Sequence, residues 1–177
     1  MRWRARSPRR TCSGITASAT APGYAPGVAN PPSVLYVELV MSIDRIGDAA
    51  RVAPVREGEW PPAVVVAHLA DVDEAVWHAR IDLMVDAFES GSPEPYFDNW
   101  EPDPVATFDR YHSWSVDEAV ARAMASRIAF VTRLRDLTPE QYEGIRGRHE
   151  IFGEMDVQAV VMAVLAHDEE HRASLIL

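Results

Sequence analysis

The sequence predicts an all-α protein, a four-helix bundle of the up-and-down type with a long loop between its second and third helices. Four segments carry apolar residues at spacings of three and four, which is the period of an amphipathic helix. No segment shows the alternation that would predict a strand with confidence, and no internal repeat is present in the sequence. The 177 residues suffice for one domain with a hydrophobic core.

The first helix is expected after the sequence NPPS, and Pro54 ends it because proline lacks an N–H group and restricts the residue before it. Its inward stripe consists of Leu35, Leu39, Ile43, Ile46, Ala50 and Ala53. The second helix is expected over about residues 61–89, since Pro61 and Pro62 suit a first helical turn. Its inward stripe consists of Val65, Leu69, Val72, Val76, Ala79 and Leu83.

Residues 90–114 form the long loop, whose four prolines and six aromatic residues favour a binding loop packed onto the domain. Ser115 and Glu118 follow it with the S-x-x-E pattern of a capping box, which predicts the start of a third helix. That helix is expected to extend to about Leu137. Its inward stripe consists of Val116, Val120, Met124, Ile128, Val131 and Leu134.

Two histidines lie on the inward stripe of the fourth helix. Residues 142–155 predict a short hairpin or an irregular turn, and Asp156 is a suitable N-cap for the helix that follows. The inward stripe of this helix consists of Val160, Val164, His167, His171 and Ser174. Histidines four residues apart lie on one helix face, about 6 Å from each other, and can chelate a divalent ion.

A third histidine lies on the inward stripe of the second helix. His68 follows Val65 by three positions and precedes Val72 by four, near the N-terminal end of its helix. An antiparallel pairing with the fourth helix would bring it to His167 and His171. Three neutral imidazoles leave an open coordination position, as in a catalytic metal site. A polar end of the last helix, without metal, is the alternative interpretation.

Two other metal sites are excluded by the spacing of acids and histidines. A zincin protease needs H-E-x-x-H, but Asp168 takes the place of the glutamate, and no third ligand follows His171. A di-iron bundle needs two Glu-x-x-His sets. Asp168 with His171 is one near match, and in the second helix Glu74 and His78 are four residues apart.

Charge and composition exclude other classes of protein. Residues 1–37 contain five Arg and no acid, which leaves 12 Arg against 27 acids in the rest of the chain. Such an acidic body predicts no nucleic-acid partner. Cys12 is the only cysteine, which fits a cytoplasmic location, and no apolar run is long enough for a membrane span. We expect residues 1–33 to be a disordered Arg-rich tail or a mis-called start, and residues 34–177 to be the domain.

The sequences EWPPAVVVAHLADVDEAVW and GRHEIFGEMDVQAVVMAVLAHDEEH resemble the DinB-like superfamily, which includes YfiT-like proteins, over about residues 34–177. The resemblance implies a four-helix bundle with a divalent metal (Zn, Ni, Fe or Mn) held by His68, His167 and His171. It also implies a small-molecule substrate, a homodimeric assembly, and either hydrolase activity or S-transfer with mycothiol or a similar thiol as cosubstrate. Members often continue beyond this last helix, whereas this chain stops at Leu177.

Further polar and aromatic residues are weaker candidates. Asp71, three residues after His68, could orient that imidazole from the second shell of a metal site, and His149 could hydrogen-bond near the metal. Structural roles are expected for His78, His112, Trp60, Trp77, Trp100 and Trp114, and solvent exposure or contact with Arg172 for Asp168, Glu169 and Glu170.

Two functions therefore remain open from the sequence. The first is a metal-dependent transferase or hydrolase of the DinB-like family, in which the 90–114 loop shapes the substrate entrance. The second is a non-catalytic bundle that serves as a binding or stress-related interaction protein. The three histidines favour the first, and the absence of an obvious general base favours the second.

Overall fold

Four long helical segments form a bundle in the computed structural model, which describes residues 32–177. They are α1 (Pro32–Val52), then α2 (Pro62–Val72) continued by a π-helical segment (Asp73–His78) and α3 (Ala79–Ser90), then α5 (Val116–Arg135) and α7 (Val157–Ile176). Shorter elements are α4 (Pro104–Tyr111), α6 (Pro139–Gly144), β1 (Tyr96–Phe97), β2 (Gly147–His149) and β3 (Gly153–Met155). The predicted four-helix bundle is thus confirmed. No described helix has the length and hydrophobicity needed to span a membrane. The tail predicted for residues 1–33 lies outside the described residues, except that Pro32 and Ser33 begin α1.

The predicted starts of α5 and α7 are confirmed by their N-terminal caps. The Ser115 side chain accepts a hydrogen bond from the Glu118 backbone N–H, and the Glu118 carboxylate accepts one from the Ser115 N–H at 2.8 Å. At the start of α7, the Asp156 carboxylate accepts a hydrogen bond from the backbone N–H of Ala159 at 2.7 Å. These side chains satisfy donors that the first turn of a helix leaves unpaired.

The four long helices run up, down, down and up. In the contacts between α2–α3 and α5, the residue numbers rise along both segments, from Ala70 with Ser126 to Asp82 with Arg133. These segments are therefore parallel. The sequence predicted antiparallel neighbours throughout, and this is wrong for that pair because the long 90–114 connection returns the chain to the other end of the bundle. Helices α2 and α7 are antiparallel, as the His68 site requires, and they are less closely packed than α2 with α5.

The π-helical segment changes which residues of the second long helix face inward. Leu83, predicted to be buried, is 50% exposed. Val72 and Val76 are buried as predicted. Two rows with a spacing of four face inward: Val72, Val76, Arg80 and Met84, and Asp73, Trp77, Ile81 and Val85. In a regular α-helix a row with that spacing drifts around the axis, whereas the wider π turn keeps it on one face. The π segment therefore turns Trp77 and Arg80 into the protein.

Helix α5 is likewise rotated relative to its predicted stripe. Ile128 is 50% exposed, whereas Arg127 beside it is fully buried. The buried face of the helix consists of Ala119, Ala123, Ser126, Arg127, Phe130, Val131 and Leu134. The predicted stripe is thus confirmed at Val131 and Leu134 and wrong at Ile128, because the charged residue Arg127 lies at the centre of the buried face.

A small sheet closes one end of the bundle. Strands β2 and β3 form the hairpin that residues 142–155 predicted, and β1, which the sequence did not predict, pairs with β2 in parallel. The hairpin turn includes Gly153 at φ 74°, a conformation that favours glycine. Position 147 also favours glycine, for a steric reason, since a Cβ there would lie 2.6 Å from the Phe97 ring.

A buried polar layer divides the core into two apolar clusters. One cluster contains Leu35, Leu39 and Val164, and the other contains Ile43 and Leu175. Between them lie the buried polar side chains Ser42, His68, Asp73, Arg127 and Asp168. Buried polar groups must find partners to avoid a large desolvation cost. The polar side chains of this layer are therefore candidates for a functional site.

Candidate metal centre

Three histidines from α2 and α7 meet in the buried layer. One potential ligand nitrogen from each of His68, His167 and His171 lies within 4.8 Å of the other two. The Nε2 atoms of His167 and His171 are 3.1 Å apart, and the centroid of the His68 ring lies 5.3 Å from that of His171. The structure thus assembles the three residues that the sequence identified, although they lie on two helices.

The nitrogen atoms of this cluster fit a divalent ion. Both ring nitrogens of His68 and the Nδ1 of His167 are buried without a hydrogen-bond partner among the described residues. Leaving such atoms unpaired costs about 1–3 kcal/mol each. Zinc–nitrogen bonds of about 2.0–2.1 Å place two nitrogens of one ion roughly 3 Å apart, close to the observed separation of the α7 pair. The donor set and its unpaired atoms therefore fit a divalent metal ion.

Burial keeps all three imidazoles neutral. It lowers the pKa of His68 to about 3, with a further contribution from His171, and lowers the pKa of His171 itself to about 4. The pKa of His167 is also lowered well below the ordinary value, first by burial and then by the two neighbouring histidines. Neutral imidazoles keep the lone pairs that bind a cation, so the site is prepared for metal at neutral pH.

The lowered histidine pKa values predict an acid-sensitive metal-free protein. Above pH 6.5 these histidines are neutral in both the folded and unfolded chain, and stability does not depend on them. Below it the unfolded chain takes up protons that the folded chain refuses until about pH 3–4, so stability falls as pH falls. Asp73 has the opposite effect on stability, because burial raises its pKa to about 6. As pH falls, the folded chain therefore takes up a proton at Asp73 before the unfolded chain does.

Urea unfolding of chelator-treated protein at pH 8, 6 and 5 measures this dependence. The unfolding free energy is expected to decline between pH 6.5 and 4. A stability that stays constant down to pH 5 would contradict the neutral buried cluster.

Three tryptophans contact the histidine cluster, and the sequence did not predict these contacts. Trp60 contacts the His68 ring edge-on at 5.3 Å, and Trp100 stacks on it with centroids 6.1 Å apart. Trp77 meets His167 at 6.3 Å. They had been predicted to be core and loop anchors. Trp100 lies in the long loop that was expected to shape the entrance and remains 37% exposed. The indole N–H of Trp60, which precedes α2, donates to the Pro104 carbonyl oxygen of that loop at 3.2 Å.

Arg127 holds α7 in place directly beside the site. Its guanidinium donates to Asp73 at 3.0 and 3.1 Å and to Asp168 at 2.6 and 3.1 Å, and its Nη1 also reaches the Ser42 hydroxyl and the Leu39 carbonyl. Asp168 is 1% exposed, so its predicted solvent exposure is wrong. The prediction holds for Glu169, whose exposed carboxylate accepts hydrogen bonds from Arg172.

Asp71 and His149, which were expected to support the metal ligands, do not contact the three histidines. The Asp71 carboxylate accepts hydrogen bonds from Tyr111 at 2.6 Å and Arg122 at 2.9 Å, and not from His68. It cannot orient that imidazole because it faces α4 and α5. His149 is buried in β2 at 3% exposure, outside the three-histidine cluster. Its Nδ1 accepts hydrogen bonds from the backbone N–H groups of Ile151 and Phe152.

A second buried arginine differs from Arg127 in having no acidic partner. Arg80 is 6% exposed, and no carboxylate of residues 32–177 lies within ion-pair distance of it. Burial lowers its pKa to about 10. Its charge lies over the rings of Trp77 at 5.3 Å and Phe97 at 5.4 Å. Such contacts contribute about 0.5–2 kcal/mol each, against a desolvation cost of several kcal/mol for a buried ion, so the charge remains only partly compensated.

The fold and the site define a class of protein, a four-helix bundle with a histidine cluster suited to a divalent ion between two antiparallel helices. Comparison with known families makes this specific. A sequence model of the DinB superfamily matches residues 35–175, and the chain belongs to that superfamily. The resemblance found in the sequence is thereby confirmed.

Among solved structures, YfiT from Bacillus subtilis is similar to this chain. The TM-score is 0.62 at 18% sequence identity, and the alignment covers 86% of this chain and 89% of YfiT. YfiT is described as "a probable metal-dependent hydrolase with an unusual four-helix bundle topology". At this identity the likeness establishes the shared fold. No curated protein matches the sequence significantly.

Proposed function

We propose that this protein is a divalent-metal-dependent enzyme that acts on a small molecule between α2 and α7, with His68, His167 and His171 holding the ion. The observation that supports this most strongly is the convergence of three neutral imidazoles, one buried and two half-buried, with three buried unpartnered nitrogens. Membership of the DinB superfamily and the description of YfiT point to the same class of reaction. An ion bound there would supply a Lewis acid that lowers the pKa of a thiol or of water.

The residues around the cluster would bind and orient the substrate. Trp60 and Trp100 form an aromatic wall against His68, which excludes water and favours an apolar portion of the substrate. Arg127 and Asp168 fix the position of His167 on α7. These residues supply the rigid support that a catalytic metal site needs.

Hydrolysis and transfer to a low-molecular-weight thiol are the two reactions to separate. One observation favours thiol transfer of the mycothiol type. Both oxygens of Asp168 accept hydrogen bonds from Arg127, so this carboxylate is occupied and unsuited to take a proton from water. A thiol is much more acidic than water, with a pKa of about 8.5 in free cysteine, and has less need of a separate base.

Turnover assays on metal-loaded protein test the proposal. One assay follows hydrolysis of an activated ester without thiol, and the other follows consumption of mycothiol with an electrophilic acceptor. His167→Ala should reduce the observed activity by at least about 100-fold, as expected when a group central to the reaction is removed, while His112→Ala retains it. Activity that survives both chelation and His167→Ala would contradict the proposal.

Metal binding without turnover in either assay would instead support the non-catalytic binding protein. The homodimer implied by the resemblance and the cytoplasmic location inferred from the single cysteine stay predictions, and light scattering of the purified protein checks the first of them.

A further inference from the structure

Arg80 has hydrogen-bonding capacity that the protein does not use. A guanidinium carries five N–H donors, and among residues 32–177 Arg80 makes one hydrogen bond, from Nη2 to the Asp98 carbonyl oxygen at 3.0 Å. Its Nε and Nη1 have no such partner, yet they are not among the fully enclosed unpaired atoms. A planar group with free donors is suited to bind a carboxylate through two hydrogen bonds.

His149 adds a second unused donor close by. Its Nδ1 accepts hydrogen bonds from two backbone N–H groups, at 3.0 and 3.3 Å, so the proton of the neutral ring is on Nε2. That Nε2–H has no partner among the described residues. His149 pairs in register with Phe97, and the guanidinium of Arg80 lies 5.4 Å from the Phe97 ring. The two free donors therefore lie in one neighbourhood.

This neighbourhood is one aromatic ring away from the histidine cluster. The indole of Trp77 lies 5.3 Å from the Arg80 guanidinium on one side and 6.3 Å from His167 on the other. The Trp77 side chain is 5% exposed and its Nε1–H is buried without a partner. The π-helical segment is responsible for this arrangement, because it turns both Trp77 and Arg80 inward.

We propose that Arg80 and His149 form a binding site for a carboxylate group, and that the substrate or cosubstrate of this protein carries a carboxylate that binds there. The second half of this statement rests on the function proposed above, whereas the anion site itself does not. A carboxylate would supply the counter-charge that Arg80 lacks in the protein. The acidic character of the whole chain strengthens the argument, since 27 acidic residues are present and none pairs with this buried cation.

Calorimetric titration with sodium benzoate tests the site in the full-length protein as purified. Benzoate offers one carboxylate on an aromatic ring, and benzamide is the uncharged control of the same shape. We expect saturable binding of benzoate and none of benzamide. Binding that is absent for benzoate, or equal for the two compounds, would overturn the proposal.

Variants identify the residues. Arg80→Met is expected to weaken benzoate binding at least about ten-fold, because it removes charge-assisted hydrogen bonds. Arg80→Lys keeps the charge without the planar fork and should give an intermediate affinity. His149→Asn keeps an acceptor for the two backbone N–H groups but removes the Nε2 donor, with an expected loss of about three- to ten-fold.

Arg133→Met is the matched control, since Arg133 pairs with Asp82 on the surface and should bind benzoate like the wild type. Circular dichroism of each variant confirms folding, and Arg80→Lys provides the test if Arg80→Met does not fold. Unchanged benzoate affinity in the folded Arg80 variants would contradict the site.

The metal content of the same samples separates this proposal from the proposed function. Arg80 and His149 lie outside the histidine cluster, so their variants should retain the metal content of the wild type. Protein that takes up no metal even after incubation with zinc or nickel, yet binds benzoate through Arg80, would contradict the proposed enzyme function and leave the anion site intact. Metal-loaded protein without benzoate binding would do the reverse.

Discussion

His68→Ala is expected to weaken divalent-metal binding at least about 100-fold, a loss as large as that caused by His171→Ala. Losing a residue that merely orients a ligand costs 10–100-fold in affinity, so the removal of a ligand should cost no less. The fold should survive, because neither ring nitrogen of His68 has a hydrogen-bond partner within residues 32–177. Its substitution therefore removes the free-energy cost of burying two unpaired nitrogens, together with some packing contacts.

Calorimetric titration with zinc and with nickel measures this loss. His112→Ala is the control, since His112 is exposed, directly follows α4 and lies outside the cluster. Circular dichroism and urea unfolding of the same samples establish that the variant is folded. A folded His68→Ala protein that binds metal as tightly as the wild type would remove α2 from the site and leave only the α7 pair.

Arg127→Met is expected to reduce the unfolding free energy by about 3–5 kcal/mol, the cost of breaking a buried ion pair from one side. The change leaves Asp73 and Asp168, each 1% exposed or less, without their cation. One or both carboxyl groups must then be protonated to remain buried. Since domains are stable by only about 5–15 kcal/mol, the variant should be near the limit of folding.

Urea unfolding at pH 7 compares Arg127→Met with Arg133→Met, whose surface ion pair with Asp82 should contribute no more than about 1 kcal/mol. A triple variant that also replaces Asp73 and Asp168 with leucine should recover much of the lost stability, because no uncompensated charge remains. Equal losses for Arg127→Met and Arg133→Met would show that the buried network is not the source of the stability.

The candidate site could be predicted because three histidines keep to the apolar period of their helices. His167 and His171 continue the stripe of Val160 and Val164, and His68 lies between apolar residues in a helix of opposite direction. A period of 3.6 residues fixes which side chains share a face, and this was enough to bring three residues together across two helices.

Charged residues in the core were not predictable by the same reasoning. The rule that places charges at the surface put Asp168 in solvent and left Arg127 out of the buried stripe of α5. The structure buries both because each partner completes the hydrogen bonding of the other, and that complementarity depends on α5 and α7 reaching the same layer from distant parts of the chain. One sequence carries no signal for such a pairing.

The rotation of α3 had a different cause. Periodicity was extended through residues 73–78 as a regular α-helix, but a π turn there moves Leu83 outward and Arg80 inward. The parallel course of α2 and α5 escaped prediction for a related reason, since a loop of this length can return to either end of the bundle. Both errors concern geometry that the local apolar pattern does not specify.

Elemental analysis of the protein, purified without an affinity histidine tag, tests the central claim most directly. We expect close to one equivalent of a divalent transition metal per chain, either as purified or after incubation with zinc or nickel followed by removal of excess ion. A folded protein with metal content near zero under both conditions would contradict that claim.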